Sequence, residues 1–459
     1  MITLAGKYYS DSNYKSNYKS IPKTPEPFFL HALWCLSNPI SYFNSMEKRY
    51  GDMYIIPKFF GFPERLVISN PQAIQQIFTT DSSLFTSDSQ FRPLVGENSV
   101  MLQNGKRHVR QRKLLMPPFH GERMRSYGEK TRKITKQVMD KVNPGETFVA
   151  RSITQEISLN IILKIIFGIS EGERYQQIQT LATDVLDFFN TPLNSIFLSF
   201  TLLQKDLGRW TPWGKFIRRK EKLDKLLFEI IQERRNQGES AGEDILSLLL
   251  SARDEEGNSM SNEELRDELI TMLFAGHETI ATALSWSMYW VHHLPEVREK
   301  LLTELSSVDI ENTDAMEIMK LPYLNAVCSE TLRIYPVAFS TFVRILQAPM
   351  QILDYSVPKG MLLYPSIYLT HHNPEIYPEP EKFKPERFIE RKFTPYEYLP
   401  FGGGNRRCPG MAFAKFEMKL ALATLLSSYS FKSMDEKPLS AVFRATSLAP
   451  KGGVKLMMN

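Results

Sequence analysis

One short stretch, Phe401-Gly-Gly-Gly-Asn-Arg-Arg-Cys-Pro-Gly410, narrows what this chain can become more than any other. Three successive glycines are costly inside a helix or strand, but they permit dihedrals and close approaches that side chains forbid. Pro409 stiffens the exit, and the residues that follow, from Met411 to Ser428, read as a helix. The stretch therefore presents the Cys408 sulfur from a fixed backbone. A thiolate donates electron density strongly to iron, and a cysteine-ligated heme favours cleavage of the O–O bond of dioxygen. Arg406, two residues before the sulfur, suits a charge-assisted bond to a heme propionate.

The cysteines bound the alternatives. Cys35, Cys328 and Cys408 have no paired spacing, which argues against a disulfide framework or a zinc site and for a reducing compartment. The chain has 459 residues, 42% of them hydrophobic and 23% charged, as in an ordinary globular protein. No segment reaches the ~20 apolar residues of a membrane-spanning helix. The best candidate, Pro27 to Leu36, falls short and reads as a short core or surface helix. It also lacks the cleavage pattern of a signal peptide.

Along the chain, residues 1–20 are polar and aperiodic and are expected to be disordered. A proline lead-in follows, Ile21 to Pro27. Tyr54–Ile56 and Leu66–Ile68 read as an antiparallel strand pair, and Asn70-Pro71 opens a helix. Residues 84–103 read as a long loop, which in a compact enzyme is often functional. Helices dominate from Arg123 to Leu305, with breaks near Pro144, Gly168, Pro192 and Pro212. A strand-rich patch spans Phe342 to Leu363. There is no tandem repeat and no linker beyond the proline lead-in, so one large helical domain is the economical reading.

Ser261-Asn-Glu-Glu264 is a capping-box start for a helix running to about His293, ahead of Pro295. Its middle reads Ala275-Gly-His-Glu-Thr279. Gly276 costs ~1 kcal/mol relative to Ala in a helix interior. The Thr279 hydroxyl can compete for the Ala275 carbonyl, so a bulge or kink with room for a small molecule is expected. Scission of dioxygen needs two protons, and an alcohol beside a carboxylate suits their delivery. His277 is expected to make a surface or packing contact. Elsewhere, Glu330-Thr-Leu-Arg333 sets opposite charges on one helix face, and Pro385-Glu-Arg-Phe388 supplies a second arginine, Arg387.

Together these segments resemble the cytochrome P450 superfamily, the heme-thiolate monooxygenases. Phe401, Gly404, Arg406, Cys408 and Gly410 match the family's cysteine loop, Phe-x-x-Gly-x-Arg-x-Cys-x-Gly. Ala275, Gly276, Glu278 and Thr279 match its Ala/Gly-Gly-x-Asp/Glu-Thr motif. Glu330, Arg333 and Arg387 match its buried charge triad, in the family order. The resemblance runs from about residue 25 to the end. It implies a mainly α fold, one large domain over residues 21–459 with small β-sheets. Heme b (iron protoporphyrin IX) would be buried between a long oxygen-binding helix and the cysteine loop.

The same resemblance implies roles. Cys408 would be the axial iron ligand, while Glu278 and Thr279 would route protons to dioxygen. His108, Arg112, Arg344 and Arg406 would hold the propionates, with Phe401 in the cofactor loop; many members carry Trp where this chain has His108. Glu330, Arg333 and Arg387 would serve folding and heme retention. The implied reaction inserts one oxygen atom into a C–H bond of a lipophilic small molecule, a fatty acid or related chain first and a terpenoid next. The pocket would draw on residues 84–103, Leu186 to Leu193, Leu273 and Phe274, Pro336 to Ser340, and Arg444 to Leu448.

No flavin- or nicotinamide-binding segment is present, so electrons are expected from a ferredoxin-type donor and its reductase. Lys106, Arg107, Arg110 and Lys113, with Arg406, Arg407, Lys415 and Lys419, are expected to share a face that attracts an acidic donor. No nucleic acid partner and no transmembrane anchor are expected. A bacterial-type, soluble, cytoplasmic monomer follows, with peripheral membrane contact the open alternative. Two rivals differ in chemistry: a peroxide-driven or isomerising heme-thiolate enzyme needs no proton relay, and a non-catalytic heme sensor shows no donor-dependent oxidation.

Overall fold

Five helices and one sheet position the site in the computed structural model. It describes residues 20–459 apart from 26–27, 59–63, 88–89, 191–193, 195–196, 199–202, 239–241 and 445–446. The leader expected over residues 1–20 lies outside the described residues but for Ser20. The helices are α1 (Gly105–Leu115), α2 (Ala150–Phe167), α3 (Asn262–His293), α4 (Pro322–Ile334) and α5 (Met411–Ser428).

Helix α3 begins as its capping box requires. The Glu264 N–H donates to Ser261 Oγ at 3.1 Å, and the Ser261 N–H donates to Glu264 Oε2 at 3.0 Å. It ends at Leu294, ahead of Pro295, which opens the next helix, Pro295–Ser306. Most of α3 is buried all round, as expected of a helix through the middle of a large domain rather than on its surface.

Helix α2 runs against α3, and small or polar residues set the approach. A Cβ on Gly276 would come within 3.0 Å of Ile162 Cδ1. Ser158 donates to the Gly276 carbonyl at 3.1 Å, and Thr154 to the Ala281 carbonyl at 3.0 Å. Helix α5 leaves the cysteine loop and packs on α3 and on the helix Glu122–Met139.

The main sheet has the order β1-β2-β5-β4-β3, from Met53–Ile56 (β1), Arg65–Ile68 (β2), Phe85–Thr86 (β3), Arg344–Leu346 (β4) and Leu362–Pro365 (β5). The expected antiparallel pair is present, with Met53 opposite Ile68, and β2 continues parallel to β5. Antiparallel pairing of β4 with β5 sets Arg344 opposite Leu363. Asn70 caps the helix Pro71–Thr79 by accepting from Gln72 N and Ala73 N. Smaller sheets join Thr147–Val149 and Phe431–Ser433 to Lys455–Met458, and Ala441–Arg444 to Ser447–Pro450.

One expectation needs correction. Residues 84–103 are not all loop: they include β3 and a helical turn, Arg92–Val95. At Ala275–Thr279, where a bulge or kink is expected, α3 remains helical, with the Thr279 and Ser158 hydroxyls on the Ala275 and Gly276 carbonyls. A carbonyl has two lone pairs, so those of Ala275 and Gly276 can take an extra hydroxyl donor without leaving the helical ladder.

Candidate heme-thiolate site

Backbone bonds close the cysteine loop. The Cys408 N–H donates to the Phe401 carbonyl at 2.9 Å, and the Gly402 N–H to that of Leu399 at 2.9 Å. Gly402 and Gly404 have φ of +66° and +63°, conformations that favour glycine. Gly403 needs its missing side chain for another reason, since a Cβ there would lie 2.2 Å from the Phe78 ring. Phe401 is half-buried, with the Lys415 ammonium 5.6 Å from its ring centroid. Burial pushes the Cys408 thiol up, opposed by the Gly410 N–H and by the charges of Arg112 and Arg407.

The other predicted cofactor residues gather near this loop. Arg344 donates to the Gly403 carbonyl at 2.9 Å and stacks on Phe78 at 4.7 Å. Arg406 donates to the Val100 carbonyl at 3.3 Å and to Asn104 Oδ1 at 2.8 Å, and lies 5.6 Å from the Phe342 centroid. Burial and the Arg406 charge push Arg344 down to about 10. Burial and Arg112 do the same to Arg406, down to about 10. Burial, with Arg406 and Arg112 alongside, lowers His108 to about 4.

The donor set fits heme b. Among the described residues none of Arg112, Arg344 and Arg406 has a carboxylate partner within ion-pair distance. Partly buried cations that repel one another want an anion, and heme b brings two propionates. The open glycine backbone and the single sulfur complete the match.

On the long helix, Thr279 donates to the Ala275 carbonyl at 2.5 Å. Ala275 is exposed and Gly276 and Thr279 half-buried, while the flanking residues of α3 are mostly buried. Glu278 is not on a solvated face. It is buried, its Oε1 ion-paired with Arg151 of α2, and its Oε2 accepts from Gln155 at 3.0 Å. His277 is buried too, and burial, opposed by Asp187 and helped by Arg151, lowers it to about 4.

The triad residues meet. Arg333 reaches Glu330 through Nε at 2.7 Å and Nη2 at 2.8 Å, and Arg387 Nε lies 3.3 Å from Glu330 Oε1. Glu330 and Arg333 are each 0% exposed. The Lys384 N–H adds a donor to Glu330 at 2.8 Å, and Arg333 also reaches the His371 carbonyl at 2.9 Å. Arg151 and Gln155 were missing from the sequence reading. Their available signal is a polar stripe, Arg151, Thr154, Gln155 and Ser158, at helical spacing along one face of α2.

The expected basic face is only partly present. Arg110 pairs with Asp254 at 2.6 Å and Glu264 at 2.9 Å, and Lys113 with Glu255 at 2.6 Å. Lys419 is buried, Arg406 and Lys415 are half-buried, and Lys106, Arg107 and Arg407 remain exposed. Neighbouring acids along residues 254–264 neutralise the rest, which the basic runs alone do not reveal.

The Cytochrome P450 family model matches residues 21–457. The chain belongs to the cytochrome P450 family. It is 31% identical to a putative cytochrome P450 135B1 of Mycobacterium tuberculosis, over 86% of this chain and 82% of that one. It is 29% identical to a putative cytochrome P450 135A1 of the same organism, over 95% of each. Its fold is similar to that of a retinoic acid-bound cyanobacterial CYP120A1, with a TM-score of 0.80, 27% identity, and 92% of this chain and 95% of that one covered. The P450 is thus an oxidoreductase, a monooxygenase whose cofactor is heme b. Its fold implies a substrate, dioxygen and an electron donor. Among the described residues no helix is long and apolar enough to cross a membrane.

Proposed function

We propose that this P450 hydroxylates an elongated lipophilic acid, a fatty acid or related chain first and a terpenoid-derived one next. Electrons come from a ferredoxin-type protein and its reductase, and one catalytic unit spans residues 21–459, acting as a monomer in the cytoplasm. The observation that carries the oxygen chemistry is the pairing of Thr279 on the Ala275 carbonyl with a Glu278 held by Arg151 and Gln155. Retinoic acid on the cyanobacterial relative, a long apolar chain with a carboxyl end, supports the substrate class. So do the apolar walls: Phe91 and Phe274 pack with ring centroids 5.0 Å apart, and Leu273 immediately precedes Phe274. Of the other proposed pocket segments, 191–193 and 445–446 lie outside the described residues.

In this reading Cys408 ligates the iron, and His108, Arg112, Arg344 and Arg406 hold the propionates. Bound heme b supplies dioxygen activation and accepts the donor's electrons. Thr279 holds its hydroxyl proton at Oγ1 against the Ala275 carbonyl, and Glu278, fixed by Arg151 and Gln155, is the carboxyl group through which that proton is replaced. Glu330, Arg333 and Arg387 keep the cofactor in by bracing α4 against the segment before the cysteine loop.

The test is a spectral-shift screen of purified protein against fatty acids, terpenoid acids and steroids. Turnover with dioxygen and a ferredoxin system follows. A high-spin shift and a hydroxylated product with a long-chain acid are expected. Binding confined to compounds without an acid group overturns the substrate class, and product formed with peroxide alone overturns the donor-dependent reaction.

A further inference from the structure

Helix α3 carries two adjacent acids, Asp267 and Glu268, that the proton route does not use. Each is 0% exposed, a costly place for a carboxyl group unless it is paired or neutral. Both are turned to residues 96–104. Asp267 Oδ2 accepts from the Asn98 N–H at 2.8 Å and from its side-chain amide at 3.2 Å. Arg266 Nε faces Asp267 Oδ1 at 2.7 Å. Glu268 Oε1 accepts from the Val100 N–H at 2.6 Å, and its buried Oε2 has no hydrogen-bond partner among the described residues. One turn on, the Thr271 and Ser99 hydroxyls lie 2.7 Å apart. Contact is so close at Gly96 that a Cβ would sit 2.0 Å from Asp267 Oδ1.

The other side of the same segment holds Arg406. Its guanidinium donates to the Val100 carbonyl at 3.3 Å, to the Gln103 carbonyl, and to Asn104 Oδ1 at 2.8 Å. Val100 is therefore gripped at its N–H by Glu268 and at its carbonyl by Arg406. Burial, with the charges of Asp267 and Glu264 nearby, pushes the Glu268 carboxyl far up. A neutral acid can accept from Val100 without setting a second negative charge beside Asp267.

We infer that Glu268 is a positioning residue for Arg406: by anchoring the Val100 N–H it fixes the backbone on which the next carbonyl, that of Val100, helps aim the guanidinium that would face a heme propionate. This rests on the reading of Arg406 as a propionate ligand. What is required of position 268 is a hydrogen-bond acceptor of glutamate length, not a charge. Glu268→Gln keeps that acceptor and Glu268→Leu removes it. Without it the 99–100 peptide loses its anchor and the neighbouring Val100 carbonyl can shift, leaving Arg406 with the Gln103 carbonyl and Asn104 Oδ1 of its three acceptors.

The experiment measures heme loss from purified holoprotein to excess apomyoglobin, in a double-mutant cycle. Arg406→Leu should speed loss by about tenfold or more, as expected when a charge-assisted bond is removed. Glu268→Leu should speed it several-fold, up to about tenfold. Glu268→Gln should stay close to wild type, and adding Glu268→Leu to Arg406→Leu should bring no further acceleration. If Glu268→Leu does not accumulate, Glu268→Asp, which pulls the acceptor back by one methylene, carries the same cycle. Arg406→Leu faster but the Glu268 variants unchanged, or the two effects multiplying in the double variant, overturns the inference. Unchanged loss in Arg406→Leu overturns instead the reading of Arg406 on which it stands.

Discussion

Arg151 closes an ion pair on Glu278 inside the protein, where the two are 5% and 8% exposed. Glu278 is therefore partnered by a specific cation and by the Gln155 amide inside the protein rather than facing solvent. Removing one member of a buried pair leaves the other uncompensated, at a cost of about 3–5 kcal/mol. Arg151→Leu should lower thermal stability accordingly, measured by calorimetry. The double variant with Glu278→Gln, which removes the stranded charge, should recover much of the loss. Equal destabilisation of the single and double variants contradicts the pairing.

Thr279→Ala should leave substrate binding intact and uncouple electron use from product. The expected fall in product per electron is about tenfold or more, since a positioned proton donor contributes roughly 100-fold or more. Thr279→Ser, which keeps the hydroxyl on the Ala275 carbonyl, should retain most of the coupling. Simultaneous measurement of reductant consumed, peroxide released and product formed checks this. Tight coupling in the alanine variant removes Thr279 from the proton route.

Glu330→Ala strands both Arg333 and Arg387, the first of them fully buried. A cost of about 3–5 kcal/mol is expected, with poor heme retention in the protein that does accumulate. Chemical denaturation and the ratio of heme to protein absorbance check it. Stability within about 0.5 kcal/mol of wild type, the range of ordinary surface substitutions, rules the triad out as a brace.

Acid should destabilise the fold through its buried histidines. Burial and Arg333 lower His372 from 6.5 to about 3, and burial and Arg298 lower His292 from 6.5 to about 4. Between those values the unfolded chain binds protons that the folded one refuses, so stability rises with pH. It is full above about pH 6.5 and lost as pH falls toward 4. Melting temperatures followed from pH 7 to 4 should decline steadily, and His372→Phe should flatten part of the slope. A flat profile contradicts the account.

The features legible in sequence are those whose chemistry is local. The cysteine loop, the Ser261–Glu264 box and the Glu330–Arg333 pair each act within a few residues, so spacing alone exposes them. Arg151 meets Glu278 across 127 positions, and nothing in either segment names the other. Burial was equally hidden. An acid at position 278 reads alike on a solvated face or in an ion pair, and only the packing of α2 on α3 decides. The basic runs misled for a related reason, because the acids that neutralise Arg110 and Lys113 belong to a distant turn.

The proposed function depends on the Cys408 sulfur, which would hold the iron of a heme whose propionates Arg112, Arg344 and Arg406 would bind. The carbon monoxide difference spectrum of the reduced protein measures that ligand directly. Wild type should show the red-shifted band of thiolate-bound ferrous heme, and Cys408→Ala should lose it even where heme is retained. The red-shifted band persisting in Cys408→Ala, or absent from heme-loaded wild type, contradicts the account.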